Sequence, residues 1–363
     1  MTPTQTQLWV SEVHDGVTDF VAGMRSRSDR GFFRHTWSSD VRRDERWGLI
    51  NAVFAARVLH MCGGVKAEHR RSIGEFITSF QRRDGGFCDP WLLRRTRRGR
   101  WRRGLRGLDL TELRGTRLVT AETRSALTAL RHLETPVPNR YQRFEAMSPE
   151  SVRDYVNDLD WRQPWAAGSH FSAMVVFLCY PYADSNEDER ARREVLVDAA
   201  FEALAQYRRA EGYWLDPAAS EVSEGEKVNG CMKVLLAYEW ANRELDAPER
   251  IIDLCLTVLN ADDACHNLDL VYALEACGRH TDHRRDEVAD FLITRLGLLQ
   301  RFWHADLGGF SFYPQQCVTH YYGAQYAEPA NEPDLHGTWL YSFAVALIGR
   351  VCGLAPAFNI PRI

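Results

Sequence analysis

Residues Gln300–Ile348 read QRFWHADLGGFSFYPQQCVTHYYGAQYAEPANEPDLHGTWLYSFAVALI. An amphipathic helix precedes this stretch and ends near Gln300. A Gly-Gly-Phe turn follows at Gly308, Gly309 and Phe310, and then a long loop rich in aromatic and polar residues. The loop closes on Asp334-Leu335-His336-Gly337-Thr338, just before a helix that is apolar on every side. A helix apolar all round is buried all round. The order of the segments therefore delivers polar residues to the mouth of a buried helix.

The rest of the chain repeats this unit. Trp9, Val13, Val17, Phe20, Val21 and Met24 fall on one helical face. Further amphipathic segments are expected over 68–80, from the N-cap pair Ser148-Pro149, and over 194–208, 248–259 and 285–299. Between them lie runs that are largely apolar: 47–59, 123–133, 171–178, 228–240, 268–277 and 339–348. No run of useful length alternates with the period of a strand. The expectation is an all-α chain of one domain over 1–363, six buried helices alternating with six covering ones. A closed (α/α)6 barrel, or toroid, suits that alternation best, with an open solenoid or a bundle of helix pairs as the other arrangements. In the barrel, the positive N-terminal ends of the inner helices face one pocket.

Composition narrows the class. The chain is 45% hydrophobic and 26% charged, as soluble globular proteins are. A net charge of −4 points to neither a nucleic acid nor a membrane as partner. The longest apolar runs, such as Phe171–Tyr180, are about half of a membrane span, and no signal peptide is evident at the N-terminus. The nine cysteines include no Cys-x-x-Cys pair, and several sit in apolar runs. Buried, reduced thiols in a cytoplasmic protein are expected.

The first turn, Phe76-Ile77-x-x-x-Gln81-x-x-x-Gly85-Gly86-Phe87, resembles the repeat of squalene–hopene-type cyclases. It also resembles the Gly-Gly-Phe turns of protein prenyltransferase β subunits. Weaker copies stand at Gln206–Trp214 and Gln300–Phe310. The resemblance implies a terpenoid-cyclase-like toroid acting on an isoprenoid diphosphate. It also implies magnesium or zinc chemistry, which the residues support poorly. The Asp-x-Asp-Asp acid of class II cyclases is missing, and its nearest partial match is Asp158-Leu159-Asp160-Trp161. The class I magnesium motif starts at Asp262-Asp263 and then fails. Where the prenyltransferases carry Asp-x-Cys for zinc, this chain has Asn229-Gly230-Cys231, which removes a charged ligand. His336 stands in a setting similar to the family's later histidine, so Cys231 and His336 are the weak metal candidates.

The residues themselves give the remaining candidates. His336 has Asp334 two positions before it, and a carboxylate beside an imidazole fixes its tautomer and raises its pKa. Asp160 and His170 are the other acid–base candidates. Asn229 and Lys233 lie one turn apart on one helix face, and a lysine in an apolar run needs a partner or a cavity. Arg124 opens another inner helix beside Glu122. Arg46 and Asn51 head the first. Trp165, Trp214, Tyr322 and Trp339 supply aromatic faces for a carbocation. For any one of these residues, helix capping or loop bridging is the plainer role.

Arg94–Arg106 (RRTRRGRWRRGLR) holds eight arginines. It reads as a basic loop inserted in the barrel, either solvated, or a lid over an anion, or an arm contacting nucleic acid or an anionic membrane surface. The expected function is an enzyme resembling terpene cyclases or prenyltransferases. Its partner is a small molecule, apolar with an anionic group, and nucleic acid is not expected. The alternatives are a carbohydrate-active (α/α)6 enzyme, a glycosidase or polysaccharide lyase using Asp334 with Glu211 or Glu226, and a non-catalytic scaffold.

Overall fold

The computed structural model describes residues 2–27, 31–39, 47–107, 115–259 and 262–363, the side chains of 103–107 excepted. Arg46 lies outside the described residues. The fold is all-α: 59% of the described residues are helical, in thirteen helices. In order these are α1 (Pro3–Met24), α2 (Leu49–Met61), α3 (Ala67–Thr78), α4 (Pro90–Gly107), α5 (Thr116–His132), α6 (Pro149–Asn157) and α7 (Pro164–Cys179). There follow α8 (Glu187–Ala205), α9 (Glu224–Ala241), α10 (Pro248–Leu256), α11 (Ala264–Gly278), α12 (Arg285–Leu299) and α13 (Leu335–Cys352). The described strands are two-residue pieces. β1 (Trp303–His304) pairs antiparallel with β2 (Gly309–Phe310), and β3 (His320–Tyr321) with β4 (Ala324–Gln325). Among the described residues no helix is long and apolar enough to cross a membrane.

Local chemistry explains where the helices begin. Thr2 and Asn186 make capping boxes with Gln5 and Glu189, and Ser148 caps α6 ahead of Pro149. One correction concerns the arginine-rich segment, which is helix α4 rather than a loop. Asp89 caps it, accepting from the N–H groups of Trp91 (2.9 Å) and Leu92 (3.4 Å), and Pro90 takes the first position. Arginine is a good helix former. Leu92, Thr96 and Arg100 bury one face, with Arg100 hydrogen-bonded to Thr96 Oγ1 and to the Leu93 carbonyl.

The Gly-aromatic turn recurs with the same kind of closing hydrogen bond. At its neck, the Phe80 carbonyl accepts from Cys88 N–H (3.3 Å), that of Tyr207 from Leu215 N–H (2.9 Å), and that of Phe302 from Ser311 N–H (2.9 Å). The glycines Gly85, Gly212 and Gly308 take φ of +80°, +96° and +70°, which an L side chain resists. A fourth copy joins Met24 to Arg34 (2.9 Å) around Gly31-Phe32-Phe33. Each turn buries its aromatic residue: Phe33, Phe87, Trp214 and Phe310 are all at most 2% exposed.

The chain divides into two compact units. One comprises Met1–Asn139, Asp262–Ala264 and Ile293–Ile363, the other Arg140–Ala261 and Cys265–Leu292. In the first unit α2 and α13 form the core: only His60 of α2 is not fully buried. In the second, α7 and α9 pack closely along each other. A Cβ on Gly230 would come within 2.7 Å of Pro164 Cβ, and one on Gly168 within 3.0 Å of Lys233 Cβ.

Candidate functional site

In the first unit, several polar residues on the inner helices anchor turns. Thr123 Oγ1 accepts from Phe87 N–H (2.9 Å), and Thr338 Oγ1 from Phe310 N–H (3.0 Å). Asn51 donates to the Phe33 carbonyl (3.2 Å). Asp334 is the extreme case. It caps α13 by accepting from Gly337 N–H (2.7 Å), and its other oxygen accepts from Phe312 N–H (2.9 Å) and Val318 N–H (3.0 Å). Burial pushes its pKa up, while His35 and these N–H groups pull it back. Both oxygens of Asp334 thus hold the 310–318 loop against α13, and the expected Asp334–His336 bond is not among its contacts.

His336 has different surroundings. Its ring stacks on Phe54 at 4.6 Å and 10°, with Phe312 at 5.0 Å and Tyr321 at 6.1 Å. Among the described residues nothing hydrogen-bonds its ring nitrogens. Burial first, and then the nearby His35 and Arg57, drive its pKa down to about 3. The imidazole is neutral at pH 7 and keeps a free lone pair.

Arg57, on α2, is the residue that the sequence reading missed. It is 7% exposed, and its Nη2 donates to Thr128 Oγ1 (2.5 Å) and the Ser125 carbonyl (3.5 Å). Its guanidinium sits over the Trp339 ring at 5.2 Å, and among the described residues Nε has no partner. No carboxylate pairs with it among the described residues. Burial lowers its pKa to about 9, and repulsion from Arg124 adds to the shift. The signal was available: Arg57 is the one charged residue in the run 47–59, and the cost argument applied to Lys233 applies equally to it. Trp339, 1% exposed, is the sequence-predicted residue that this arrangement does use. Tyr322 is exposed on the β3–β4 turn, and its neighbour Tyr321 is the one beside His336.

A second polar cluster lies behind the first Gly-Gly-Phe turn. Glu122 accepts from Asp89 N–H (2.8 Å), and Asp89 accepts from Gly48 N–H (2.7 Å). Both are fully buried. Burial and the Asp89 charge push Glu122 up to about 8, and burial takes Asp89 to about 6. Trp47, Trp91 and Tyr326 pack edge to face or tilted nearby, with centroids 5.2–5.6 Å apart. They line a pocket of about 590 Å³ with Arg95, His320 and Glu328 at its rim.

In the second unit, Lys233 pairs with Asp269 (3.2 Å) and lies 5.9 Å over the Trp165 ring. Trp165 is 5.9 Å from the His266 ring, and its main-chain N–H donates to Glu226 (3.1 Å). The lysine therefore has the partner that its apolar run demands. Asn229 is buried, with Nδ2 unpartnered among the described residues. His170 is half-buried on α7. Trp214 is core, with Arg208 at 4.1 Å over its ring. Asp160 is exposed and paired with Arg162 (2.7 Å), which holds its carboxyl below the usual range. A proton donor needs the opposite shift.

Zinc fits this donor set poorly. Cys231 is buried and its thiol is pushed up to about 12, whereas zinc binds thiolate. Among the described residues no three His, Cys, Asp or Glu side chains gather as a metal site would require. Comparison with protein-family models, with characterised proteins and with solved structures gives no match.

Proposed function

We propose that this chain is an enzyme of the terpenoid-cyclase and prenyltransferase type, built as an (α/α)6 toroid and acting on an isoprenoid diphosphate. The observation that carries the reading is Arg57: a buried guanidinium with no carboxylate partner, walled by Trp339 and repelled by Arg124. A buried cation without a counter-ion is costly, and an anionic ligand offsets that cost. Arginine matches phosphate oxygens bidentately. Trp339 lies against Arg57, and Phe54, Phe312 and Tyr321 surround His336; these rings supply apolar surface for a prenyl chain and π faces for positive charge. The recurring Gly-aromatic turn supports the toroid.

In this reading the diphosphate takes the head end, at Arg57 with Arg124. Its C–O bond breaks, the bonding pair leaves with the diphosphate, and an allylic cation remains. Loss of a proton from the adjacent carbon forms the olefin, and the neutral His336 imidazole accepts that proton. A cation of this kind is acidic enough that a weak base suffices. No step here passes through a metal.

Titration calorimetry with farnesyl diphosphate and with farnesol tests the reading. The diphosphate should bind and the alcohol should bind at least roughly ten-fold more weakly, the scale of one charge-assisted contact. Equal affinities, or no binding of either, would overturn it.

A further inference from the structure

Helix α4 carries a second cationic feature, separate from Arg57. At 100° per residue, Arg97, Trp101, Arg94, Arg98, Arg102 and Arg95 follow one another around the helix within about 160°. All six are exposed, and Trp101 is 48% exposed. The opposite side is the buried one, with Leu92, Thr96 and Arg100. Among the described residues no carboxylate pairs with Arg95, Arg97, Arg98 or Arg102. Packing alone does not call for such a face. Five neighbouring guanidiniums repel one another, and a bare indole in their midst adds apolar surface to water.

We propose that this face of α4 is a peripheral contact for the anionic headgroups of a lipid bilayer. Two properties favour a bilayer over a nucleic acid. First, the positive surface is local. Without the eight arginines of 94–106, the formal charge of −4 would be −12, so the remainder is net acidic, whereas nucleic-acid binding draws on a broad positive footprint. A headgroup layer needs only a flat cluster of basic side chains within a Debye length. Second, the face carries one aromatic residue near its centre. A lone tryptophan ringed by arginine matches the headgroup level of a membrane, whereas strand binding uses a series of stacking platforms. The face from Arg94 to Arg102 spans about 12 Å along the helix, enough for a few headgroups. The contact is adsorption, with no inserted helix.

The test is co-sedimentation of the full chain with vesicles of phosphatidylcholine alone, and with vesicles of equal parts phosphatidylcholine and phosphatidylserine. Binding is expected to the second only, and raising salt from about 0.1 M to about 1 M should release the protein as screening shortens. Replacing Arg95, Arg97, Arg98 and Arg102 together by glutamine should weaken binding about five-fold per arginine, with the circular dichroism spectrum unchanged. Trp101→Ala should weaken it while leaving the salt dependence intact. Equal binding to both vesicles, or full binding by the glutamine variant, would overturn the proposal. So would tighter binding to single-stranded oligothymidine than to the phosphatidylserine vesicles.

Discussion

The Arg57 guanidinium lies 5.2 Å from the centre of the Trp339 ring, and its hydrogen bonds go to a threonine hydroxyl and a main-chain carbonyl, not to a carboxylate. The pair joins α2 to the second turn of α13. A charge held this way is a liability for folding and an asset for binding an anion.

That opposition gives the first prediction. Arg57→Met keeps the length of the side chain and removes the buried charge. Replacing buried ions by apolar groups is neutral or stabilising by about 1–4 kcal/mol. Urea unfolding should show the variant at least as stable as the parent, while farnesyl diphosphate affinity falls more than roughly ten-fold. A loss of several kcal/mol in stability would make Arg57 structural and remove the central support for the function.

His336→Phe separates stacking from basicity. The new ring keeps the contact with Phe54. His336 is held near 3 in the folded chain, against about 6.5 when unfolded. The unfolded chain thus binds the extra proton between those values. Its share of stability is present above about pH 6.5 and is lost as pH falls toward 3. The variant should have a flatter melting-temperature profile on the acid side, an unchanged melting temperature at pH 8, and no product formation. Full turnover by His336→Phe would remove His336 as the proton acceptor.

Glu122 carries the opposite sign. Its folded pKa of about 8 exceeds the ordinary glutamate value of about 4.3. The folded chain holds the proton longer, so this contribution is complete below about pH 4.3 and is lost as pH rises through about 8. Glu122→Gln keeps an acceptor for Asp89 N–H and removes the ionisation. Its stability relative to the parent should rise by about 4 kcal/mol between pH 5 and pH 9. A parallel pair of stability–pH curves would contradict this.

Gly230→Ala tests the close packing of α7 on α9. The new Cβ would stand 2.7 Å from Pro164 Cβ, so the helices must separate. Overpacking of this kind costs about 1–3 kcal/mol, against a helix-propensity gain of up to about 1 kcal/mol. Denaturant unfolding should show a net loss. A net gain would mean that the two helices slide apart freely.

Much of the fold was legible in the chain. The twelve expected helices all occur, with ends shifted by several residues: the run 339–348, for example, begins at Leu335 because Asp334 caps it. The Gly-aromatic turns were visible because glycine and a following aromatic residue mark them locally. The arginine-rich segment was misread, since charge repulsion argued for a loop while Asp89-Pro90 and arginine's own propensity started and held a helix. The candidate site was less legible. Asp334 and His336 are close in sequence but diverge in use: the carboxylate turns to three N–H groups and the imidazole to three aromatic rings. Arg57 went unnoticed inside an apolar run.

By itself, then, the sequence determined the all-α class, the alternation of covered and covering helices, and the recurring turn. Periodicity and turn chemistry act over a few residues and can be read one segment at a time. Only the tertiary structure decided which polar residues are consumed by loops and which stay unpaired. Arg57, Tyr321, His336 and Trp339 come from an early helix, a late hairpin and the last helix. Their meeting depends on how the first unit packs, and no local pattern encodes it.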